Sequence, residues 1–310
     1  MATYLVTGGA GFIGSHLAEE LVKRGEKVRV IDNFFSGKEE NMASFINEIE
    51  FYEGDIRDKS LMEKITKGAD YVLHHAAIAS VPRSVENPEE STEVNVGGTL
   101  NVLRRAAENK VKRLVYAGSS SAYGNSNTPK KSEQELPDPI SPYAVTKLAG
   151  EYYCRSFAAI YGLETVVLRY FNVFGERQDP NSLYSAVIPL FCSAAKEKRR
   201  ATIYGNGEQT RDFTYVKNNV EANLLAATIP GISGEVFNIA CGQTVSLLEL
   251  HAAINRVMGS DLKPIMAPPR VGDVMHSSAD ITKARKLLGY EPKFSFEEGL
   301  IKTCAFFSRN

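Results

Sequence analysis

Thr3-Tyr4-Leu5-Val6-Thr7-Gly8-Gly9-Ala10-Gly11-Phe12-Ile13-Gly14 is the stretch whose reading decides the fold. Its first five residues are apolar and β-branched, which predicts a buried strand. The glycines follow at once, and Ser15 to Val22 then has the apolar spacing of a helix. Glycines let the backbone turn sharply at a strand end and approach an anion closely. A helix starting near Gly11 offers that anion unpaired N–H groups and the positive end of its dipole. Lys27-Val28-Arg29-Val30-Ile31 predicts a second strand, ending at Asp32. A carboxylate there can accept both ribose hydroxyls of an adenosine and would repel a 2′-phosphate, so NAD is favoured over NADP. A glycine triplet alone is equally a tight turn beside a helix. Strand, glycines, helix, strand and acid in order and in register are what a dinucleotide site requires.

The chain has 310 residues, enough for one large domain or two unequal ones sharing a core. Its formal net charge of −1 supplies no field to recruit nucleic acid or an anionic membrane, so an anionic substrate must be met by a few local arginines. Cys154, Cys192, Cys241 and Cys304 form no CxxC pair, and the first strand begins within a few residues of Met1. Reduced thiols in a cytoplasmic protein without a targeting segment are therefore expected. No apolar run approaches membrane-spanning length. His16, His74, His75, His251 and His276 show no ligand spacing, so no metal is expected.

Alternation of strand and helix continues down the chain. Strands are predicted at Glu50–Gly54, which leads to Asp55 near the adenine, at Asp70–Ala77, at Lys112–Ala117 and at Glu164–Tyr170. Long helices are predicted from about Ser91 to Asn109 and from Tyr143 to Tyr161. Repeated βα units imply an α/β fold with a doubly wound parallel sheet of Rossmann type, its ligands at the carboxyl ends of the strands. Beyond Tyr170 the rhythm changes to turn-rich stretches and shorter helices, at Leu183–Glu197 and Leu247–Met258. Residues 1–170 are thus expected to form an NAD-binding domain, with segments near 212–217 and 235–240 returning to it. Residues 171–310 are expected to form a smaller α/β substrate-binding lobe.

Ser119, Tyr143 and Lys147 form a second constellation. Ser119 lies at the end of the fifth strand, where a nicotinamide would sit. Tyr143 and Lys147 are four apart and share a helix face. A tyrosine acts as a base near neutral pH only if its phenolate is favoured, and a nearby ammonium would favour it. Fourteen tyrosines in a lysine-rich chain give about one YxxxK by chance. This one is unique in the chain, opens a helix after Ser141-Pro142 and follows a strand-end serine.

With these motifs in hand, the chain resembles the extended short-chain dehydrogenase/reductases, and among them the nucleotide-sugar 4-epimerases of the UDP-galactose and UDP-N-acetylglucosamine type. The likeness runs from TGGAGFIG through LHHAA, NVGGT, SPYAVTK, LRYFNVFG and GNGEQTRDF to RVGDV. It implies a redox loop in which Tyr143, helped by Ser119, takes the sugar O4 proton while C4 gives hydride to retained NAD. The 4-keto sugar then turns over and takes the hydride back on its other face. Lys147 is expected to hold the nicotinamide ribose and lower the tyrosine pKa. The implied cofactor site comprises Gly8, Gly11, Phe12, Ile13 and Gly14, then Asp32, Asn33, Ser36 and Gly37. It continues through Asp55, Ile56, His75, Ala76, Ala77 and Asn95 to Tyr143, Lys147 and Tyr170. The implied substrate site comprises Ser119, Ser120, Ser121, Asn172, Val187, Tyr204 and Ser277, with Arg211 and Arg270 on the diphosphate and Asp273 on the uridine ribose.

Dehydratases resembling this chain carry an acidic pair after the strand-five hydroxyl residue. Ser120 and Ser121 stand there instead, and neither can act as a carboxylic acid. Epimerisation of UDP-glucose/UDP-galactose, and of the UDP-GlcNAc/UDP-GalNAc pair, is the expected reaction. A UDP-glucuronate epimerase or decarboxylase, another NAD-dependent nucleotide-sugar enzyme, and a non-catalytic NAD-binding module are the alternatives. Ser277 sits where the resemblance places tyrosine in epimerases restricted to plain hexoses, which would open space for an acetamido group. The two long helices carry apolar residues, including Tyr152, Tyr153, Phe157 and Ile160, that the family's homodimer would cover as a four-helix bundle.

Overall fold

The computed structural model describes residues 1–126, 128–180, 186–269 and 275–309. The N-terminal βα rhythm gives β1 (Thr3–Thr7), α1 (Phe12–Lys23), β2 (Lys27–Asp32), β3 (Glu50–Glu53), α2 (Lys59–Thr66) and β4 (Tyr71–His74). Then come α3 (Val81–Glu86), α4 (Pro88–Thr92), a π-helical stretch Glu93–Gly98, α5 (Thr99–Glu108), β5 (Arg113–Ser119), α6 (Pro142–Ile160) and β6 (Glu164–Tyr170). The remainder is β7 (Val173–Phe174), α7 (Val187–Lys196), β8 (Thr202–Tyr204), β9 (Thr210–Arg211), β10 (Thr214–Tyr215) and α8 (Val216–Thr228). β11 (Glu235–Ile239), β12 (Val245–Ser246), α9 (Leu247–Met258), β13 (Ile265–Ala267), β14 (His276–Ser277) and α10 (Phe296–Arg309) complete it.

Seven parallel strands form the central sheet in the order β11-β6-β5-β4-β1-β2-β3. Strand alternation feeds two cores. Tyr4 and Val6 pack with Leu17, Ala18, Leu21 and Val220 of α1 and α8 on one face. Leu5 packs on the other with Met62, Ile65, Val102, Leu103 and Phe157 of α2, α5 and α6. The strand order reverses between β1 and β4, which opens a crevice at their carboxyl ends. A third core, centred on Phe174, Phe191, Phe213, Leu250 and Leu300, unites α7, α9 and α10.

Three expectations about the elements are corrected. The helix foreseen over Ser91–Asn109 is interrupted by the π-helical stretch. There Asn95 turns inward, accepting from Ile78 N (2.8 Å) and donating to Ile78 O and Thr146 Oγ1 (both 3.1 Å). Of the segments expected to return, Glu235–Ile239 joins the central sheet beside β6. The 212–217 strand does not: β10 pairs with β7 outside that sheet, and α8 following it packs against the sheet. Finally, Phe157 does not face outward, being buried and stacked on Tyr161 at 4.5 Å.

Candidate active site

A cavity of about 690 Å³ lies at the crevice and is lined by the loops after β1, β2, β3 and β4, by the end of β5 and by α6. The glycine loop forms its floor. Gly8 has φ +71°, and a Cβ there would meet Ala76 N at 2.7 Å. A Cβ on Gly14 would lie 2.1 Å from Gly8 O, so only glycine lets α1 pack this close to the strand end. Gly11 is the N-cap of α1 and has no side chain to satisfy its first-turn N–H groups, and that turn carries no acid. Unpaired donors thus face the cavity at a helix N-terminus, which fits a dinucleotide pyrophosphate.

Asp32 ends β2 and lines the same cavity. Its Oδ2 accepts from Ala10 N and its Oδ1 from Phe34 N, both at 2.9 Å, which ties the glycine loop to the second strand. Burial pushes the carboxyl pKa up against the opposing pull of these N–H groups. Asn33 donates to Asp55 (3.3 Å), whose carboxylate is held below its usual range mainly by the Arg57 guanidinium. Ser36, Ile56, Ala76 and Ala77 line the cavity as well. Gly37 does not: a Cβ there would collide with Ala10 and Asp32. Asn95 is also absent from the wall and instead fixes the backbone of Ile78, which is part of it.

Tyr143 and Lys147 reach the cavity from the first turns of α6. Ser141 caps that helix by accepting from Ala144 N (3.2 Å), Pro142 follows as first residue, and Tyr143 N donates to Ser84 Oγ (2.9 Å). Ser119 acts on the Tyr143 phenol in the direction that favours its charged form. Ser119 Oγ in turn accepts from Ser121 N (3.1 Å) and Ser121 Oγ (2.8 Å), within the tight turn Ser120–Tyr123. Lys147 Nζ donates to Ala117 O (3.0 Å) and lies 5.1 Å from the Tyr116 ring centroid. Burial lowers the Lys147 pKa to about 8 and raises that of Tyr143, with Ser119 opposing the rise. Desolvation dominates at Tyr143, and the Lys147 ammonium is turned to the strand carbonyl of Ala117.

His75 Nε2 is 2.9 Å from Tyr170 Oη, which also accepts from Asn223 Nδ2 (2.7 Å). Burial depresses the His75 pKa to about 3, so the ring is neutral at pH 7. His74, bonded to Thr7 and Thr99, is likewise held neutral by burial.

Asn172, Val187, Tyr204, Arg211 and Ser277, expected on the substrate side, do not line the cavity. Ser277 faces Arg211 in the β14–β9 register, and Asn172 Nδ2 donates to Asp212 O (3.1 Å). Tyr204 ends β8 and accepts from Gln209 Nε2 through its carbonyl (2.6 Å). Val187 begins α7 next to Ala186, which does line the cavity. Arg270 and Asp273 lie outside the described residues. Sequence reasoning missed the wall formed by Ala79, Ser80 and Arg83 after β4, together with Lys38, Arg177 and Gln178. Ser80-Val81-Pro82 is a helix-start signal for α3, with Ser80 Oγ accepting from Arg83 N (3.3 Å), but it carries no hint of a ligand.

The model of the NAD dependent epimerase/dehydratase family matches residues 4–240. The chain belongs to that family. It is similar over 99% of its length to a putative UDP-glucose 4-epimerase of Methanocaldococcus jannaschii, with 38% identity and 98% of that protein covered. A UDP-glucose 4-epimerase of Thermotoga maritima, solved with UDP-glucose, is 41% identical with a TM-score of 0.94, covering 99% of both chains. A UDP-N-acetylglucosamine 4-epimerase of Methanobrevibacter ruminantium, in complex with UDP-N-acetylmuramic acid, is 40% identical with a TM-score of 0.95. It covers 99% of this chain and 98% of its own. Family membership brings NAD dependence with it, and the cradle described above suits that cofactor.

Proposed function

We propose that the chain is a UDP-sugar 4-epimerase that interconverts UDP-glucose with UDP-galactose and UDP-GlcNAc with UDP-GalNAc. The observation that carries the reading is Tyr143 standing in the cavity with Lys147, one turn further along α6, and with Ser120 and Ser121 where a dehydratase needs acids. The relatives named as UDP-sugar 4-epimerases support it.

In this reading the α1 N-terminus and Asp32 hold NAD, and bound NAD supplies the reversible oxidation at the sugar C4. Tyr143 accepts the O4 proton and returns it, and Ser119 keeps the sugar oxygen and the phenol in one line. Lys147 holds the nicotinamide ribose and, being buried with its pKa near 8, stays sensitive to local charge. Asn172 and Ser277 border the sugar, while Arg211 and Arg270 are assigned the diphosphate and Asp273 the uridine ribose.

We further propose a cytoplasmic homodimer serving carbohydrate metabolism. Among the described residues no helix is long and apolar enough to cross a membrane. Val145, Tyr152, Tyr153, Ile160 and Tyr161 leave an exposed apolar stripe on α6 that a second copy would cover. The 91–109 region has no exposed large apolar residue, so α6 is the main contributor.

The test is turnover of UDP-glucose, UDP-GlcNAc and UDP-glucuronate without added NAD, with Tyr143→Phe as the negative control. The variant should keep its fold and NAD content and lose about three powers of ten or more in kcat. Near-native turnover in Tyr143→Phe defeats the assignment, and preferential turnover of UDP-glucuronate reassigns the substrate.

A further inference from the structure

Glu151 and Arg169 form an ion pair whose side chains are only 5% and 3% exposed, yet neither lines the cavity. Arg169 Nε donates to Glu151 Oε2 (2.9 Å) and Nη2 to Oε1 (2.7 Å), a two-pronged fork. The guanidinium carbon also sits 4.7 Å from the centroid of the Tyr123 ring. Tyr123 is itself pinned, its hydroxyl donating to Asn238 Oδ1 (2.7 Å).

Each partner of this cation belongs to an element bearing part of the site. Glu151 is one step of four beyond Lys147 and two beyond Tyr143 on α6, so the three share a face. Tyr123 ends the turn that begins at Ser119. Arg169 pairs in register with Gly118, and its neighbour Tyr170 pairs with Ser119. One buried guanidinium therefore joins the helix of the base, the turn of the serine and the strand between them.

Stability explains this pair poorly. Desolvating two charges consumes most of their attraction, and a well-packed apolar pair of similar volume is commonly as stable or more so. Among the described residues Arg169 Nη1 finds no hydrogen-bond acceptor, so the fork alone satisfies the cation there. Apolar packing already attaches α6 to the sheet through Cys154 and Phe157. A fork adds what apolar contact lacks, a fixed rotation and axial height of one element against another.

We propose that Arg169 and Glu151 are positioning residues that set α6 against the Ser119 turn, so that Tyr143 and Ser119 meet in a geometry competent for proton transfer. The inference rests on the epimerase reading of the site. The decisive variant is the double replacement Arg169→Met with Glu151→Leu, compared with Arg169→Lys, which keeps the charge and loses the fork. Each is measured as kcat and KM per NAD-loaded subunit, beside the thermal midpoint.

The double variant should fold and hold NAD like the native chain, with KM within about threefold and kcat reduced about ten- to hundredfold, since an ångström of misplacement costs that much. Arg169→Lys should lose about tenfold in kcat alone. A purely structural role predicts instead that activity per loaded subunit returns with the fold. A folded, loaded double variant with kcat within about twofold of native overturns the proposal, and Arg169→Lys decides on the same criterion if the double does not fold. Failure of both variants to fold assigns the pair to stability and also overturns it. A native chain that turns over no UDP-sugar refutes the epimerase reading, and this role with it.

Discussion

Replacing Gly14 by alanine tests the cofactor cradle at its tightest point. The new methyl group would stand 2.1 Å from Gly8 O, 2.8 Å from Gly8 C and 2.9 Å from Gly9 Cα. Ordinary contact begins at 3.4 Å, so the helix and the loop must part by about 1.3 Å (3.4 − 2.1). No flexible side chain can absorb that shift. The loop is fixed by Gly8 N donating to Ile31 O (2.8 Å), Gly11 N to Gly8 O (3.2 Å) and Ala10 N to Asp32 Oδ2 (2.9 Å). Overpacking of this kind costs about 1–3 kcal/mol, which lowers the thermal midpoint by roughly 1.5–5 °C in a chain of this size. Moving the first-turn N–H groups by more than 1 Å also weakens at least two hydrogen bonds to an anion, so NAD affinity should fall about a hundredfold. Gly11→Ala is the internal control. Its Cβ would lie 3.2 Å from the same carbonyl with φ at −75°, and it should cost less than about 1 kcal/mol of stability. The assay is nucleotide released by acid from purified protein, per mole of chain, alongside calorimetry. A Gly14→Ala protein with native NAD content and an unchanged midpoint refutes the cradle.

Two further outcomes follow from the same geometry. His16 is buried with Nε2 on Glu176 O (2.9 Å), and burial holds its pKa near 3, so the unfolded chain takes up a proton at pH 6.5 that the folded chain refuses. Its stabilising share is present above pH 6.5 and is lost as pH falls toward 3, reaching about 2 kcal/mol at pH 5. Denaturant titrations of His16→Gln should show a pH 7-to-5 loss of stability smaller than native by about that amount, and an identical loss would contradict this. Ser277→Tyr should depress kcat/KM for the N-acetylated pair about tenfold or more beyond its effect on the plain hexoses, because added bulk penalises only the larger sugar. Equal losses for both pairs would show that Ser277 is not the gate.

Much of the fold was legible because its signals are local. β6 runs over Glu164–Tyr170 and α9 over Leu247–Met258 as the residue pattern indicates, the latter bounded by the Ser246–Glu249 capping box and the left-handed Gly259. The break at Glu93–Gly98 was not legible, since it comes from Asn95 bonding to Ile78, a partner that helical periodicity cannot see. The orientation of Lys147 was hidden for a similar reason. Spacing puts it on the face of Tyr143, but the Ala117 carbonyl that captures its ammonium belongs to another element. Phe157 shows the limit of reading a helix for surplus apolar surface: it fills the subunit's own core, whereas Tyr152 and Tyr153 of the same helix do not.

The substrate half is written in a different way, and this bears on how firmly it holds its residues. The cradle needs one uninterrupted run from Thr3 to Asp32, whose pieces are aligned by β1–β2 pairing over five residues. Ser277 is set opposite Arg211 by the two-residue pairing of β14 with β9, in which Thr210 and His276 are 66 residues apart. Closing so long a loop for so short a ladder leaves register weakly specified by the strands themselves. Side chains supply the rest. Asp212 Oδ1 and Oδ2 accept from Cys241 N and Gly242 N (both 3.0 Å), and its own N–H donates to Ser277 O (2.8 Å). A slip of one residue would turn Ser277 to the opposite face and present His276 in its place. The placement of Ser277 thus depends on a buried carboxylate beside the arginine assigned to the diphosphate, whereas the shape of the cradle depends on glycines at the other end of the chain.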